Sequence, residues 1–210
     1  MRETPEDEGM KAELFVDRST EVQSAALVAD GRVVRETTLD GADSRSGDWA
    51  ARVRDFAAGA EIARVVVGTG PGSFAGIRAA LALAQGYAIG SGCEVAGLPS
   101  ACAFAPASGP LAVVGDARRG SFWVALFDGA RLDGGIFLTD GEGLRKSVPA
   151  GTKVVTPDSR RIDAVLRAAF GEDYIGGATP TAGGLARAAL ANPSLPVPEP
   201  LPVYLSPAVR

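Results

Sequence analysis

The stretch Phe15-Val-Asp-Arg-Ser-Thr-Glu-Val-Gln-Ser-Ala-Ala-Leu-Val-Ala-Asp-Gly31 decides how this chain is read. An apolar run ends in Asp17, a polar turn follows, and a second run from Val22 to Val28 leads to Asp30-Gly31. Asp-Gly before the strand-like Arg32 to Thr37 predicts a tight hairpin, because glycine accepts the positive φ of the turn. The pattern returns as Val114-Gly-Asp-Ala-Arg-Arg-Gly-Ser-Phe-Trp-Val-Ala-Leu-Phe-Asp-Gly129. Asp17 precedes Asp30 by 13 residues, and Asp116 precedes Asp128 by 12.

Outward from the first copy, Trp49, Val53 and Phe56 stand four and three apart and predict a short helix after the polar loop Asp40 to Asp48. Arg64-Val-Val-Val-Gly68 reads as a buried strand of a mostly parallel sheet. A glycine-rich turn and a helix from Phe74 to about Ile89 follow, then a strand near Val95 and an Ala-rich helix near Ser100 to Ala105. Outward from the second copy come strands Leu111 to Gly115, Phe122 to Phe127 and Ile136 to Leu138, then a loop-rich stretch. Strand Lys153 to Thr156, a helix capped by Asp158 or Ser159, a short strand at Tyr174-Ile175 and a helix from Thr181 to Leu190 complete the pattern. A three-strand meander continued by βαβ units, occurring twice, describes the duplicated ribonuclease-H-like α/β fold of the actin/Hsp70/sugar-kinase superfamily. Two lobes with mixed sheets flanked by helices are expected, 10–106 and 107–210, after a solvated, disordered extension at 1–9. The tail carries six prolines between Pro193 and Pro207, so it is expected to run extended along a surface.

Composition limits the chemistry. Apolar types are 46% and charged types 22% of 210 residues, an ordinary globular balance. Histidine is absent, which removes His general bases, Ser-His and Cys-His pairs and His-ligated metal. Cys93 and Cys102 alone build neither a disulfide framework nor a zinc site, so no metal ligands are assigned. The net charge of −4 gives no electrostatic footprint for nucleic acid. The most apolar stretch, Ala75 to Ile89, is too short to span a bilayer, and the acidic start is no secretory signal. A cytoplasmic protein without membrane contact is expected.

Three features could carry function. Gly68-Thr-Gly-Pro-Gly-Ser-Phe-Ala-Gly-Ile-Arg78 is a strand, a glycine turn and a helix start, and it reads either as a structural tight turn or as an anion cradle. It has neither Walker A nor G-x-G-x-x-G spacing. The helix behind it carries small residues on much of its circumference, which suits either a core helix or one shared with a partner chain. Asp17 and Asp116 end strands before turns, where they either cap the turn or hold magnesium for phosphoryl transfer. The bulky residues of Arg18-Ser19-Thr20 and Ala117-Arg118-Arg119 argue against a working ATPase.

With these residues in view, the sequence resembles the TsaB (YeaZ) family, a non-catalytic subunit of bacterial tRNA threonylcarbamoyladenosine synthesis. Gly70-Pro-Gly-Ser-Phe-Ala-Gly-Ile-Arg78 is similar to the family's G-P-G-S-F-T-G-L-R, and Asp116-Ala-Arg-Arg119 to its D-A-R-R. Pro202-Val-Tyr-Leu205 resembles its P-x-Y-L. The first helix departs from the family pattern, and Ala75 replaces the motif threonine. The resemblance implies a chain that performs no catalysis. It implies a heterodimer with a TsaD-like paralogue that bears ATP and metal, joined by a TsaE-like small ATPase, with tRNA engaged only through the complex. The contact would be a helix bundle in which Trp49, Val53, Phe56, Phe74, Ile77, Leu81 and Ala84 take part. A homodimer through the same face is the alternative when the partner is missing. No cofactor would bind this chain alone. ATP or ADP at the subunit boundary would draw on Gly70, Gly72, Ser73, Arg78, Asp116 and Arg118. The competing expectation is a divergent ATP-dependent phosphotransferase with Asp17 or Asp116 on magnesium.

Overall fold

The computed structural model describes residues 10–39 and 48–205. The expected extension at 1–9, residues 40–47 of the expected loop and the end of the tail at Pro207 lie outside the described residues.

The first copy of the repeat forms β1 (Met10–Asp17), β2 (Ser24–Ala29) and β3 (Arg32–Thr38), an antiparallel meander. Asp30 and Gly31 have φ of 50° and 68°, the paired left-handed geometry that the hairpin requires. Helix α1 (Trp49–Phe56) leads into β4 (Ala60–Gly68), which pairs in parallel with β1. Helix α2 (Phe74–Ser91) returns the chain to β5 (Glu94–Leu98), parallel to β4. Ser73 caps α2 by accepting from the Gly76 amide at 3.2 Å, and Gly92 ends it at φ 72°. A 3₁₀ turn, Ser100–Phe104, stands where an Ala-rich helix was expected.

The second copy repeats the plan. β6 (Pro110–Arg118), β7 (Ser121–Asp128) and β8 (Arg131–Asp140) form the meander. The stretch expected as loop contains α3 (Gly141–Ser147). Two glycines among its seven residues and a single buried side chain, Leu144, hide it from a periodicity reading. Its start is made by Asp140, whose carboxylate accepts from the Gly143 amide at 2.7 Å. β9 (Lys153–Thr156), α4 (Ser159–Phe170) and β10 (Tyr174–Gly177) follow, with β9 parallel to both β6 and β10.

From Ala182 onward the chain leaves the lobe in which sequence order places it. Helix α5 (Ala182–Ala191) packs on β1, β2 and β3, and β11 (Val197–Pro198) pairs with β5 in the first sheet. The strand orders are β11-β5-β4-β1-β2-β3 and β10-β9-β6-β7-β8. The reason for the return is compositional. Six of the ten residues of α5, including Leu185 and Ala186, are buried, so this helix needs cover on more than one face.

Alternation along the strands sorts the core into layers. Leu14, Val16, Val65 and Val67 face α1 and α2, whereas Phe15 and Val66 face the opposite way. Val113, Trp123, Ala125 and Val155 of the second sheet meet Phe15, Val66 and α5 in one central core. Val114, Val124 and Val154 face α4 through Ile162 and Leu166. The order is helix, sheet, central helix, sheet, helix. Close approach at the centre depends on glycine. The Trp123 indole fills the space a side chain at Gly115 would take. Gly115→Ala is therefore expected to lower stability by about 1–3 kcal/mol through overpacking, read as a lower urea midpoint with unchanged slope.

Candidate functional site

At the C-terminal end of β1 the chain buries a carboxylate. Asp17 is fully enclosed and accepts from the Ser19 amide at 2.9 Å, the Ser19 hydroxyl at 2.7 Å and the Ser100 hydroxyl at 2.6 Å. Ser100 Oγ also accepts from the Gly70 amide at 3.0 Å, and its own amide donates to the Gly70 carbonyl at 2.7 Å. The carboxylate occupies the place of a side chain at Gly68. Burial raises the Asp17 pKa above the ordinary 3.8, against the lowering effect of the donors from Ser100 and Ser19.

The glycine turn closes on this knot. The Ser73 amide donates to the Ser19 carbonyl at 2.6 Å, and side chains at Gly72 and Gly76 would run into the carbonyls of Ser19 and Arg18. The glycines thus serve backbone-to-backbone contact. The amides of Gly70, Ser73 and Gly76 are already bonded within the protein, leaving those three donors no part in cradling a phosphate. Arg78 lies over the Phe74 ring at 5.0 Å, and Phe74 in turn meets Tyr204 at 5.7 Å.

Asp116 belongs to a different cluster at the end of β6. Its carboxylate accepts from the Arg118 amide at 2.8 Å, and the Arg118 and Arg161 guanidinium groups lie 3.6 and 3.5 Å away. Asp158 accepts from the Asp116 amide at 2.9 Å. Two cations against one carboxylate leave little field to attract magnesium. Arg118 and Arg119 adopt φ of 71° and 55°, a conformation that glycine would hold with less strain. At the start of α5, side chains at Gly183 and Gly184 would meet the Glu36 carboxylate and the Ala103 carbonyl. These glycines seat a helix. No group of three or more His, Cys, Asp and Glu side chains able to hold a metal occurs among the described residues. The buried Cys102 thiol is pushed up to about 12 by desolvation and is unreactive.

The partner face needs a correction. Val53 and Ala84 have no exposure and, with buried Trp49, pack in the core layer on their own sheet, whereas buried Ile77 lies against the turn at Gly70. Ala80 packs in the same layer as Ala84, and Gly76 faces the Arg18 carbonyl. Val53, Ile77 and Ala84 offer a partner almost no surface, whereas Trp49 also lines the outward face. Of the expected interface residues only Phe74 is exposed, at 56%, with Phe56 and Leu81 half-buried. The outward face is instead a trough of about 810 Å³ between α1 and α2, lined among others by Ala51, Ala79, Ala82, Leu83, Gly86 and Tyr87. Alanine and glycine on much of the helix circumference carry no periodic signal to say which side is out. Ile89, at 89% exposure, ends this face. Trp49 Nε1 is buried beside it with no hydrogen-bond partner among the described residues, and the Arg18 guanidinium lies 5.1 Å from the Trp49 ring.

Two sheets, each an antiparallel meander extended by parallel strands and backed by helices, define the duplicated ribonuclease-H-like α/β class. Residues 57–134, from the end of α1 into β8, match the family model described as TsaD, tRNA N6-adenosine threonylcarbamoyltransferase. YeaZ from Pseudomonas aeruginosa has the same fold, with a TM-score of 0.70 at 22% identity over 93% of this chain and 100% of that one. A second Pseudomonas aeruginosa structure, of an uncharacterized protein with similarity to peptidase YEAZ, gives 0.71 at 23% over 94% and 100%. No curated protein matches the sequence. The chain is thus similar to YeaZ in fold over nearly its whole length, and to the TsaD model in sequence over its middle third. Both agree with the TsaB (YeaZ) resemblance of the Gly70 and Asp116 motifs. No helix among the described residues is long and apolar enough to cross a membrane.

The buried carboxylate has a measurable signature. The folded state holds the Asp17 proton above pH 3.8, where the unfolded chain has released it, so this group's contribution is present below 3.8 and is lost as pH rises through the raised value. Asp17→Asn is expected to remove that slope. It should also cost about 1–3 kcal/mol at neutral pH, because the amide N–H₂ would replace one of the two accepting oxygens and face either the Ser100 donor or the Ser19 donors. Urea midpoints of both proteins across acid pH check this.

Proposed function

We propose that this chain is a TsaB-like, non-catalytic subunit of a tRNA threonylcarbamoylation complex, in the cytoplasm. It pairs with a TsaD-like paralogue that carries the ATP, the metal and the transfer chemistry. The observation that carries this reading is the outward face of α2. Between Phe74 and Ser91 the helix has one charged residue, Arg78, yet Ile89, Ala82 and Gly86 face outward. A surface helix of a self-sufficient protein carries a polar outer face. Small side chains along both α1 and α2 let a second helix pair approach closely, as a bundle requires.

The occupied turns support the same division of labour. Asp17 is sealed, Asp116 sits between two arginines, and the glycine turn is filled by protein. On this reading Gly70, Gly72 and Ser73 hold the shape of the chain. Arg78, exposed at the start of the shared helix, is the residue placed to meet a nucleotide at the subunit boundary. The small TsaE-like ATPase and the tRNA engage the assembled pair, and a homodimer through the same trough forms when the paralogue is absent.

The trough supplies the test. Among the described residues nothing lies within 4 Å of a side-chain position at Gly86, so Gly86→Arg fills the trough without disturbing the core. Removing a mid-helix glycine is worth up to about 1 kcal/mol to the helix. We expect Gly86→Arg, and likewise Ala82→Arg, to weaken binding of the purified TsaD-like paralogue by at least about 100-fold while thermal stability holds or rises. Val53→Ala should do the reverse, lowering stability and leaving affinity unchanged. Native mass and calorimetric titration decide it, and tight binding of ATP and magnesium by the isolated chain would favour the phosphotransferase instead.

A further inference from the structure

The C-terminal segment does more than end the chain. After α5 it crosses to the far edge of the first sheet, where Val197 and Pro198 pair with Gly97 and Ala96 of β5. Pro200 then occupies the notch left by Gly97, where a Cβ would lie 2.7 Å from the Pro200 ring. The Val203 amide donates to the Thr69 carbonyl at 2.9 Å. Tyr204 lies against Phe74, the first residue of α2, with Arg78 on the other contact of the same ring. Leu205 reaches back to the central core. Within nine residues the segment touches the sheet edge, the turn that enters α2, and α2 itself.

Its attachment is light. Pro198, Pro200 and Pro202 have no amide to donate, so among the described residues the backbone contribution is a two-residue ladder and the Val203 bond. Glu199 is held at φ 58°, a left-handed conformation that a non-glycine residue adopts at a cost. Leu201 and Tyr204 are exposed at 78% and 58%. Segments with few backbone bonds and exposed side chains open at lower free energy than the core beneath them. Thr69 is the point where this hold is transmitted. Its carbonyl takes the Val203 bond, its amide donates to Leu98 at 2.9 Å, and its methyl group packs beside Gly97.

We propose that Val197–Leu205 is a strap that pins the Thr69–Ser73 turn and the first turn of α2, so that the seating of the helix that presents the α1–α2 trough is controlled from the C-terminal segment. With the strap seated, α2 is held at its N-terminal end by Tyr204 and Thr69 as well as by the Asp17 knot. With the strap released, the knot remains but the outer side of the turn is free, and β5 becomes an open sheet edge. The consequence for partner binding rests on the subunit reading above; the coupling of strap to turn does not.

Hydrogen exchange on the isolated full-length protein tests the coupling. Two variants release the strap by different means: the pair Pro200→Gly with Tyr204→Ala removes its side-chain anchors, and Val203→Pro removes its bond to Thr69. In both, amides in peptides spanning 69–78 are expected to exchange about tenfold faster or more, with β6 and β7 unchanged. Exchange over 69–78 within about twofold of the parent in either variant overturns the proposal, whether or not the strap's own peptides have quickened. Affinity for the TsaD-like paralogue is a separate readout. A loss there supports control of the trough, whereas faster exchange with full affinity confines the strap to local order and overturns that part of the proposal alone.

Discussion

The buried Asp17 carboxylate is the constraint on which the rest of the first lobe depends. A carboxyl group enclosed in protein is tolerable only when its oxygens are bonded, and here Ser19 and Ser100 supply the donors from residues 2 and 83 positions away. That requirement ties the end of β1 to the 3₁₀ turn after β5. It also dictates Gly68, because the carboxylate stands where a side chain would be. Gly70 joins through Ser100, and Gly72 and Gly76 let the turn into α2 close on the Arg18 and Ser19 carbonyls. The position of α2 follows from one polar group that has to be satisfied.

The two lobes are joined by a different force. Helix α5 lies with the central core, where apolar residues of both sheets meet. The Ser24 hydroxyl accepts from the Ala182 amide at 2.8 Å, which fixes the helix start against the first lobe. Ion pairs add little to this arrangement. Glu21–Arg160 bridges the lobes at 3.3 Å, but both side chains are almost wholly in water, where such pairs contribute little. Packing of a small-residue helix between sheets holds the lobes together, and it leaves the outer helices free for other use.

Those outer helices divide unequally. Helix α4 has a buried stripe of Ile162, Leu166 and Phe170 and an outer side with Arg160, Asp163 and Arg167, as suits a helix in water. Helix α2 has no such contrast, being apolar outward as well as inward. A glycine-rich turn before a helix can serve phosphate binding, and here its glycines admit the Asp17 carboxylate and the Ser19 and Arg18 carbonyls. A motif's residue types therefore did not decide its use; the neighbouring Arg18–Ser19 turn did.

Much of the architecture was legible in residue order alone. The repeated Asp-to-Asp-Gly spacing, the valine run of β4 and the Ser73 and Gly92 caps are local signals, and each has its local outcome in the structure. The resemblance to the TsaB family was likewise carried by two short motifs. Three things were not legible. Helix α3 has two glycines and one buried residue, so its periodicity is too weak to read. The outward stripe of α2 could not be assigned, because alanine and glycine pack equally well against a sheet or a partner. That choice falls to the three-dimensional neighbours, and it put Val53, Ile77 and Ala84 inside. The return of α5 and of Val197–Leu205 to the first lobe was invisible for a further reason. Order along the chain says which segments follow one another, whereas the surface that buries an apolar helix can come from any part of the fold.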